Sequence, residues 1–149
     1  MARASTKKLK HERCWTLLGR RQGPFWHACR RRPTQGGPAS VAFDPAWVIE
    51  REESRGDVIG FYHTHPGGMP GPSQRDHRTM RAWVGSFGKP LLCLIEADGV
   101  VNAYLYVDDE VDEGIALTAC ELLPRGIVVA YDSREANSQE ANDDQQVPA

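Results

Sequence analysis

The chain is expected to form a mixed α/β fold, a β-sheet flanked by helices. Three features carry that expectation: β-branched and aromatic runs of strand length, two amphipathic stretches of helical period, and Gly/Pro-rich segments that separate them. The first residues, crowded with Lys and Arg, read as a short basic helix, followed by strands near 13–20 and 24–32. A polar Pro/Gly loop at 33–40 leads to a helix near 44–54, where Pro45-Ala46-Trp47-Val48-Ile49-Glu50-Arg51-Glu52-Glu53 combines an apolar side with a solvated charged face. Val58-Ile59-Gly60-Phe61-Tyr62, after the turn-like Arg55-Gly56-Asp57, is the core of a buried strand at 57–63. A helix over 73–87 has Met80, Trp83, Val84 and Phe87 at three- and four-residue spacings, which places them on one face. Strands at 90–97 and 100–107 meet at Asp98-Gly99, a strong hairpin signal. Residues 111–131 have mixed character and close on Gly126–Tyr131 as a last strand. From Ser133 onward almost no apolar residue remains. One domain over 1–131 followed by a disordered acidic tail over 132–149 is the expected organisation.

Composition narrows the function classes. A chain of 149 residues can bury a single core, roughly two-thirds of its unfolded surface, without a metal to hold it together. A bound ion would therefore serve chemistry rather than folding. The formal net charge of −2 argues against a general nucleic-acid binder. Charge is uneven, with ten Lys/Arg against Glu12 alone in the first 32 residues, and five acids against Arg134 from Asp132 onward. Arg30-Arg31-Arg32 follows the strand Phe25–Cys29 and reads as a solvated turn rather than a contact for an acidic partner. Cys14, Cys29, Cys93 and Cys120 have no Cys-x-x-Cys spacing, and three of them lie in apolar runs as small buried hydrophobes. With no apolar signal segment and no long apolar span, a cytoplasmic protein without membrane contact is expected. Trp26, Trp47 and Trp83 read as core, and His11, His27 and His77 as incidental.

The chemistry concentrates between residues 60 and 76. His63 and His65 sit two apart at a strand end and so share a face. Two imidazoles on one face suit zinc, which accepts a carboxylate as third ligand. The loop Pro66-Gly67-Gly68-Met69-Pro70-Gly71-Pro72 turns the chain back, and Ser73 then caps a helix whose third residue is Asp76, the candidate third ligand. Ser73, at a helix N-terminus beside the ion, is placed to donate to an oxyanion. Three protein ligands leave a fourth position open for water. A separate carboxylate must move protons. Glu12, the only acid among the first 43 residues, is the first candidate.

Glu12-Arg13-Cys14-Trp15-Thr16-Leu17-Leu18-Gly19, His63-Thr64-His65-Pro66 and Ser73-Gln74-Arg75-Asp76 together resemble the JAMM motif of the MPN-domain (JAB) metallopeptidases, over roughly residues 8 to 131. The resemblance implies a three-layer α/β/α sandwich with a mixed sheet. It implies that His63, His65 and Asp76 bind Zn²⁺, that Glu12 is the acid/base and that Ser73 stabilises the oxyanion. It also implies hydrolysis after the C-terminal glycine of a ubiquitin-like protein, in deconjugation or precursor processing. Family members commonly carry a Gly shortly after the Glu, where this chain has Trp15 and Thr16, and a fuller first helix. The stretch between Asp76 and the next strand has no room for a large zinc-stabilised insertion, so no linkage preference is carried over.

The expected partners are a ubiquitin-like protein or its conjugate and E1- and E2-like proteins, for example in a bacterial anti-phage conjugation system. Trimming of a sulfur-carrier protein is the alternative enzyme, and a non-catalytic MPN scaffold is the alternative class. A zinc nucleoside deaminase is excluded, because it would need His-x-Glu and Pro-Cys-x-x-Cys, and the chain has neither.

Overall fold

The computed structural model describes residues 12–35 and 43–135. The expected basic N-terminal helix, most of the expected 33–40 loop and the tail beyond Glu135 lie outside the described residues. Eight strands form one mixed sheet: β1 (Arg13–Gln22), β2 (Phe25–Gln35), β3 (Val58–Thr64), β4 (Leu91–Ala97), β5 (Val100–Tyr106), β6 (Ile115–Ala116), β7 (Ala119–Leu123) and β8 (Ile127–Tyr131). Helix α1 covers Pro45–Arg55 and α2 covers Gln74–Phe87. The spatial order is β6-β5-β4-β3-β1-β2-β8-β7.

Among the described residues only β3 and β4 pair in parallel, and α2 is the crossover that parallel neighbours require. That βαβ unit positions the candidate site. Gly60 sits where β3 and β4 approach most closely: a Cβ there would lie 2.1 Å from the Leu92 carbonyl oxygen, so Gly60→Ala would push the two strands apart.

The sheet curls, which brings β5 against β7. Inside the curl, Trp15, Leu17, Trp26, Tyr62, Leu94, Leu105 and Val128 form one core, with Cys120 and Leu122 of β7 packed on it. On the other face, Val48 of α1 and Met80 and Val84 of α2 cover Phe61, Leu91, Cys93 and Ile95. Each such aliphatic or aromatic side chain contributes roughly 1.5–3 kcal/mol when fully buried. Both helices therefore lie on one face. Among the described residues the opposite face is filled by the sheet's own curvature, where the expected three-layer sandwich would have a helix.

Several sequence expectations are corrected in detail. β2 does not stop at residue 32: it continues to Gln35 through an irregularity opposite Trp15, where Arg32 adopts φ 55° and Pro33 is tolerated because the ladder is already broken. Arg30–Arg32 is thus strand, not a solvated turn. The Arg30 guanidinium stacks over Trp15 at 4.2 Å and Tyr62 at 4.8 Å, while Arg32 pairs with Asp44 at 2.8 Å. Glu52 is not part of a solvated face either, since it accepts from Lys89 Nζ at 2.8 Å and from the Val58 amide at 3.2 Å. The Asp98-Gly99 hairpin has positive φ at both residues, as a two-residue type I′ turn requires. The mixed stretch at 111–131 resolves into β6, β7 and β8, and Asp132 is buried between Arg21 and Arg134 with its amide on the Pro24 carbonyl. Cys14 and Cys93 are buried, Cys29 and Cys120 half-buried, and all four are free thiols. Trp26 is core, and Trp47 and Trp83 pack on the helix-side core.

Candidate metal centre

The site lies where β3 ends. Phe61, His63 and His65 alternate onto the helix-covered face, and the parallel ladder runs one residue past the strand, with the His65 amide donating to the Glu96 carbonyl at 2.8 Å. Antiparallel β1 supplies the next residue by register. Cys14 pairs with His63 and Trp15 with Tyr62, and the Arg13 amide donates to Thr64 Oγ1 at 2.9 Å. Continued by two residues beyond Cys14 and His63, that register sets Glu12 opposite His65, and opposite residues of an antiparallel pair point to the same face. Glu12, His63 and His65 thus converge although 51 residues separate the first two.

The third element is the N-terminus of α2. Ser73 is its N-cap, with Oγ accepting from the Asp76 amide at 3.1 Å, while Asp76 Oδ2 accepts from the Ser73 amide at 2.8 Å. This reciprocal capping box fixes the Asp76 side chain and satisfies two helix-terminal N–H groups. It leaves carboxylate lone pairs facing the histidines. His63 Nε2 lies 3.2 Å from Asp76 Oδ1, His65 Nε2 3.2 Å from Asp76 Oδ2, and the two Nε2 atoms are 3.0 Å apart.

Those three edges test whether an ion fits. Bonds of 2.0–2.1 Å at tetrahedral angles put neighbouring ligand atoms about 3.3 Å apart. Each edge is within a few tenths of an ångström of that figure, the two to Asp76 running to different oxygens, and one ligand atom each from His63, His65 and Asp76 lie within 4.8 Å of one another, which makes them the metal-capable cluster among the described residues. Tautomer chemistry agrees. The Met69 carbonyl, which can only accept, lies 2.8 Å from His65 Nδ1, so Nδ1 carries a proton, and a ring that gives up its Nε2 proton would turn that lone pair to the centre. The loop that delivers this carbonyl is itself pinned, because Pro70 O accepts from Asn102 Nδ2 at 3.3 Å and from the Tyr104 hydroxyl at 3.4 Å.

Electrostatics follow from this packing. Burial alone would raise the Asp76 carboxyl, but hydrogen bonds from His63, His65 and the Ser73 amide outweigh it and hold the group far below the usual carboxylate range. For His65 burial pulls downward, and Asp76 and the Met69 carbonyl overcome it, leaving the imidazole above its ordinary value. Glu12 moves the other way. Burial raises it, offset in part by His63 and His65, and one of its carboxylate oxygens is buried without a partner among the described residues.

The structure therefore brings together all five residues singled out in the sequence. It also adds what sequence reasoning missed: the Met69 carbonyl, the Thr64 hydroxyl and a buried bond of 2.6 Å between His77 Nδ1 and the Tyr106 hydroxyl. His77 is not incidental. The available sequence signal was its place one residue after Asp76 on a helix packed against β5; a backbone carbonyl such as Met69's has no side-chain signal at all.

A family model for prokaryotic homologs of the JAB domain matches residues 1–122. The chain belongs to the prokaryotic JAB-domain family. No curated protein is similar enough to the chain to count as a match. The JAB family includes metallopeptidases, and in this JAB domain the His63–His65–Asp76 cluster is compatible with a JAMM metal site. No helix among the described residues of the JAB domain is long and apolar enough to cross a membrane.

Proposed function

We propose that this JAB domain is a zinc-dependent peptidase or isopeptidase that cleaves after the C-terminal glycine of a ubiquitin-like protein. The observation that carries the reading is the cluster of His63 Nε2, His65 Nε2 and the Asp76 carboxylate, with the carboxylate of Glu12, just ahead of β1, at its margin. Zinc, when bound by those three side chains, supplies Lewis acidity that lowers the pKa of water to about 7 and polarises a carbonyl.

The chain's own groups do the rest. Glu12, raised by burial and with one oxygen unpartnered among the described residues, takes a proton from the attacking water and returns it to the leaving amine. Ser73 uses Oγ lone pairs for its cap bond, which leaves the hydroxyl proton to donate to the oxyanion of the tetrahedral intermediate. The Met69 carbonyl and the capping box hold His65 and Asp76 in place, so reorganisation during reaction is small. An extended substrate tail would pair with an open sheet edge, and β5 offers one at Val100–Asn102, since β6 pairs only with Tyr104 and Leu105. In this reading the protein acts in the cytoplasm beside E1- and E2-like proteins, as in an anti-phage conjugation system.

The test uses purified protein loaded with zinc and a fusion that joins the C-terminal glycine of a ubiquitin-like protein to a reporter. Cleavage at the glycine by the parent, and none by Glu12→Gln at equal zinc content, supports an enzyme. Zinc binding without cleavage of any such fusion supports a non-catalytic scaffold instead. Cleavage limited to a sulfur-carrier fusion would move the substrate to that class.

A further inference from the structure

The pairing of His63 is incomplete. Its ring is buried, Nε2 faces His65 and Asp76, and Nδ1 is buried without a hydrogen-bond partner among the described residues. A metal-ligating imidazole almost always donates its other N–H to an acceptor, as His65 does to Met69. An N–H left unbonded in the interior keeps its full desolvation penalty.

Beside the ring lies a cavity lined by Phe43, Phe61, His63, Asp76, Thr79, Met80 and Cys93, in which a water-sized centre has about 10 Å³. That is close to the smallest space that holds one water. Five of the lining residues do not explain an acceptor: three are apolar, Cys93 offers a weak one, and Asp76 is already engaged by both histidines and the Ser73 amide. Thr79 does. It stands one helical turn after Asp76 on α2, and its hydroxyl makes no hydrogen bond among the described residues.

We propose that Thr79 is a positioning residue for the metal centre: its hydroxyl, through one buried water in this cavity, accepts the His63 Nδ1 proton and so holds the ring in the tautomer that directs the Nε2 lone pair at the ion. A Thr–water–His63 relay would then do for His63 what the Met69 carbonyl does for His65. The water would be satisfied by His63 Nδ1 and Thr79 Oγ1, with Cys93 Sγ as a weak third partner. This inference rests on His63 being a metal ligand, as the proposed function requires.

The test compares Thr79→Val, which keeps the shape and removes the hydroxyl, with Thr79→Ser, which keeps the hydroxyl. Zinc affinity is measured by competition with a chromophoric chelator, the melting temperature of the zinc-free protein reports folding, and ¹⁵N NMR of the imidazoles reports which His63 nitrogen is protonated. The relay predicts a 10- to 100-fold loss of zinc affinity in Thr79→Val, with a mixed His63 tautomer, and near-parent affinity in Thr79→Ser. Equal zinc affinity in folded Thr79→Val and parent protein, with unchanged His63 tautomer, overturns it. If Thr79→Val does not fold, a His63 Nδ1 resonance in the parent that shows no hydrogen bond overturns it equally. Absence of zinc binding by the parent would overturn the metal reading itself, a result distinct from the other two.

Discussion

Helices α1 and α2 both begin beside a carboxylate and put it to opposite uses. α1 is capped by Asp44, whose Oδ1 accepts from the Trp47 amide at 3.2 Å, and whose other oxygen is held by Arg32 at 2.8 Å on the surface. α2 is capped by Ser73, and its Asp76 sits within the first turn. Both carboxyls are held below their ordinary value, but the causes differ: Asp44 by the Arg32 bond first, Asp76 by two buried imidazoles that overcome the effect of its own burial. An arginine satisfies a carboxylate and ends its chemistry. Two histidines whose Nε2 atoms face the same carboxylate can exchange those protons for an ion. What separates a structural acid from a candidate ligand is therefore the element that faces the helix end, not the helix end itself.

The largest expected effect breaks this contrast at its functional end. Asp76→Asn keeps a cap acceptor for the Ser73 amide yet loses the charge, so the protein should fold and bind no stoichiometric zinc; Asp44→Asn should bind zinc as the parent does. Both are read by metal content after dialysis. Next, Glu12→Gln should retain zinc and lose roughly 10²- to 10⁴-fold in cleavage rate of the glycine-linked fusion. Ser73→Ala should lose about 10²- to 10³-fold in kcat, with zinc kept. The same variant should lose about 0.5–2 kcal/mol in a denaturant melt, because its cap is gone.

A smaller effect concerns pH in the zinc-free protein. The His65 imidazole is raised above its ordinary 6.5, so the stability of its contact with Asp76 is fully present below about pH 6.5 and is lost as pH rises through the raised value. Asp76 works in the opposite sense: its contribution is present above its ordinary 3.8 and disappears as pH falls through the depressed value. Melting temperature measured across neutral pH should accordingly fall on the alkaline side without zinc, while zinc affinity, which needs neutral His65, rises over the same interval. The smallest effect is Asp44→Ala, a modest drop in melting temperature with zinc affinity unchanged.

Much of the site was legible because its signals are local and periodic. His63 and His65 share a face by strand alternation, and Ser73 with Asp76 is a capping box whose spacing is fixed by helix geometry. Glu12 was legible only as an isolated acid; what brings it to the histidines is the β1–β3 register, a pairing across 49 residues between Cys14 and His63 that no local pattern encodes. The Met69 carbonyl and the Thr79 cavity were illegible for the same reason, since backbone direction and voids arise from tertiary packing. In the fold, hairpins and amphipathic helices were readable, but the curl that fills the concave face was not. Short strands such as β6 and β7 carry too few residues for alternation to stand out, and Arg30 looked solvated because stacking on Trp15 across the sheet leaves no trace in spacing.

The most direct test of the central claim, that Asp76 differs from Asp44 because two histidines turn it into a ligand, is X-ray absorption of the zinc-loaded protein. The account predicts one zinc per chain with nitrogen and oxygen ligands at about 2.0–2.1 Å, two of them imidazoles, and loss of the signal in Asp76→Asn. Sulfur scattering at about 2.3 Å, which would put Cys14 or Cys93 on the ion, or zinc retained in full by Asp76→Asn, would contradict it.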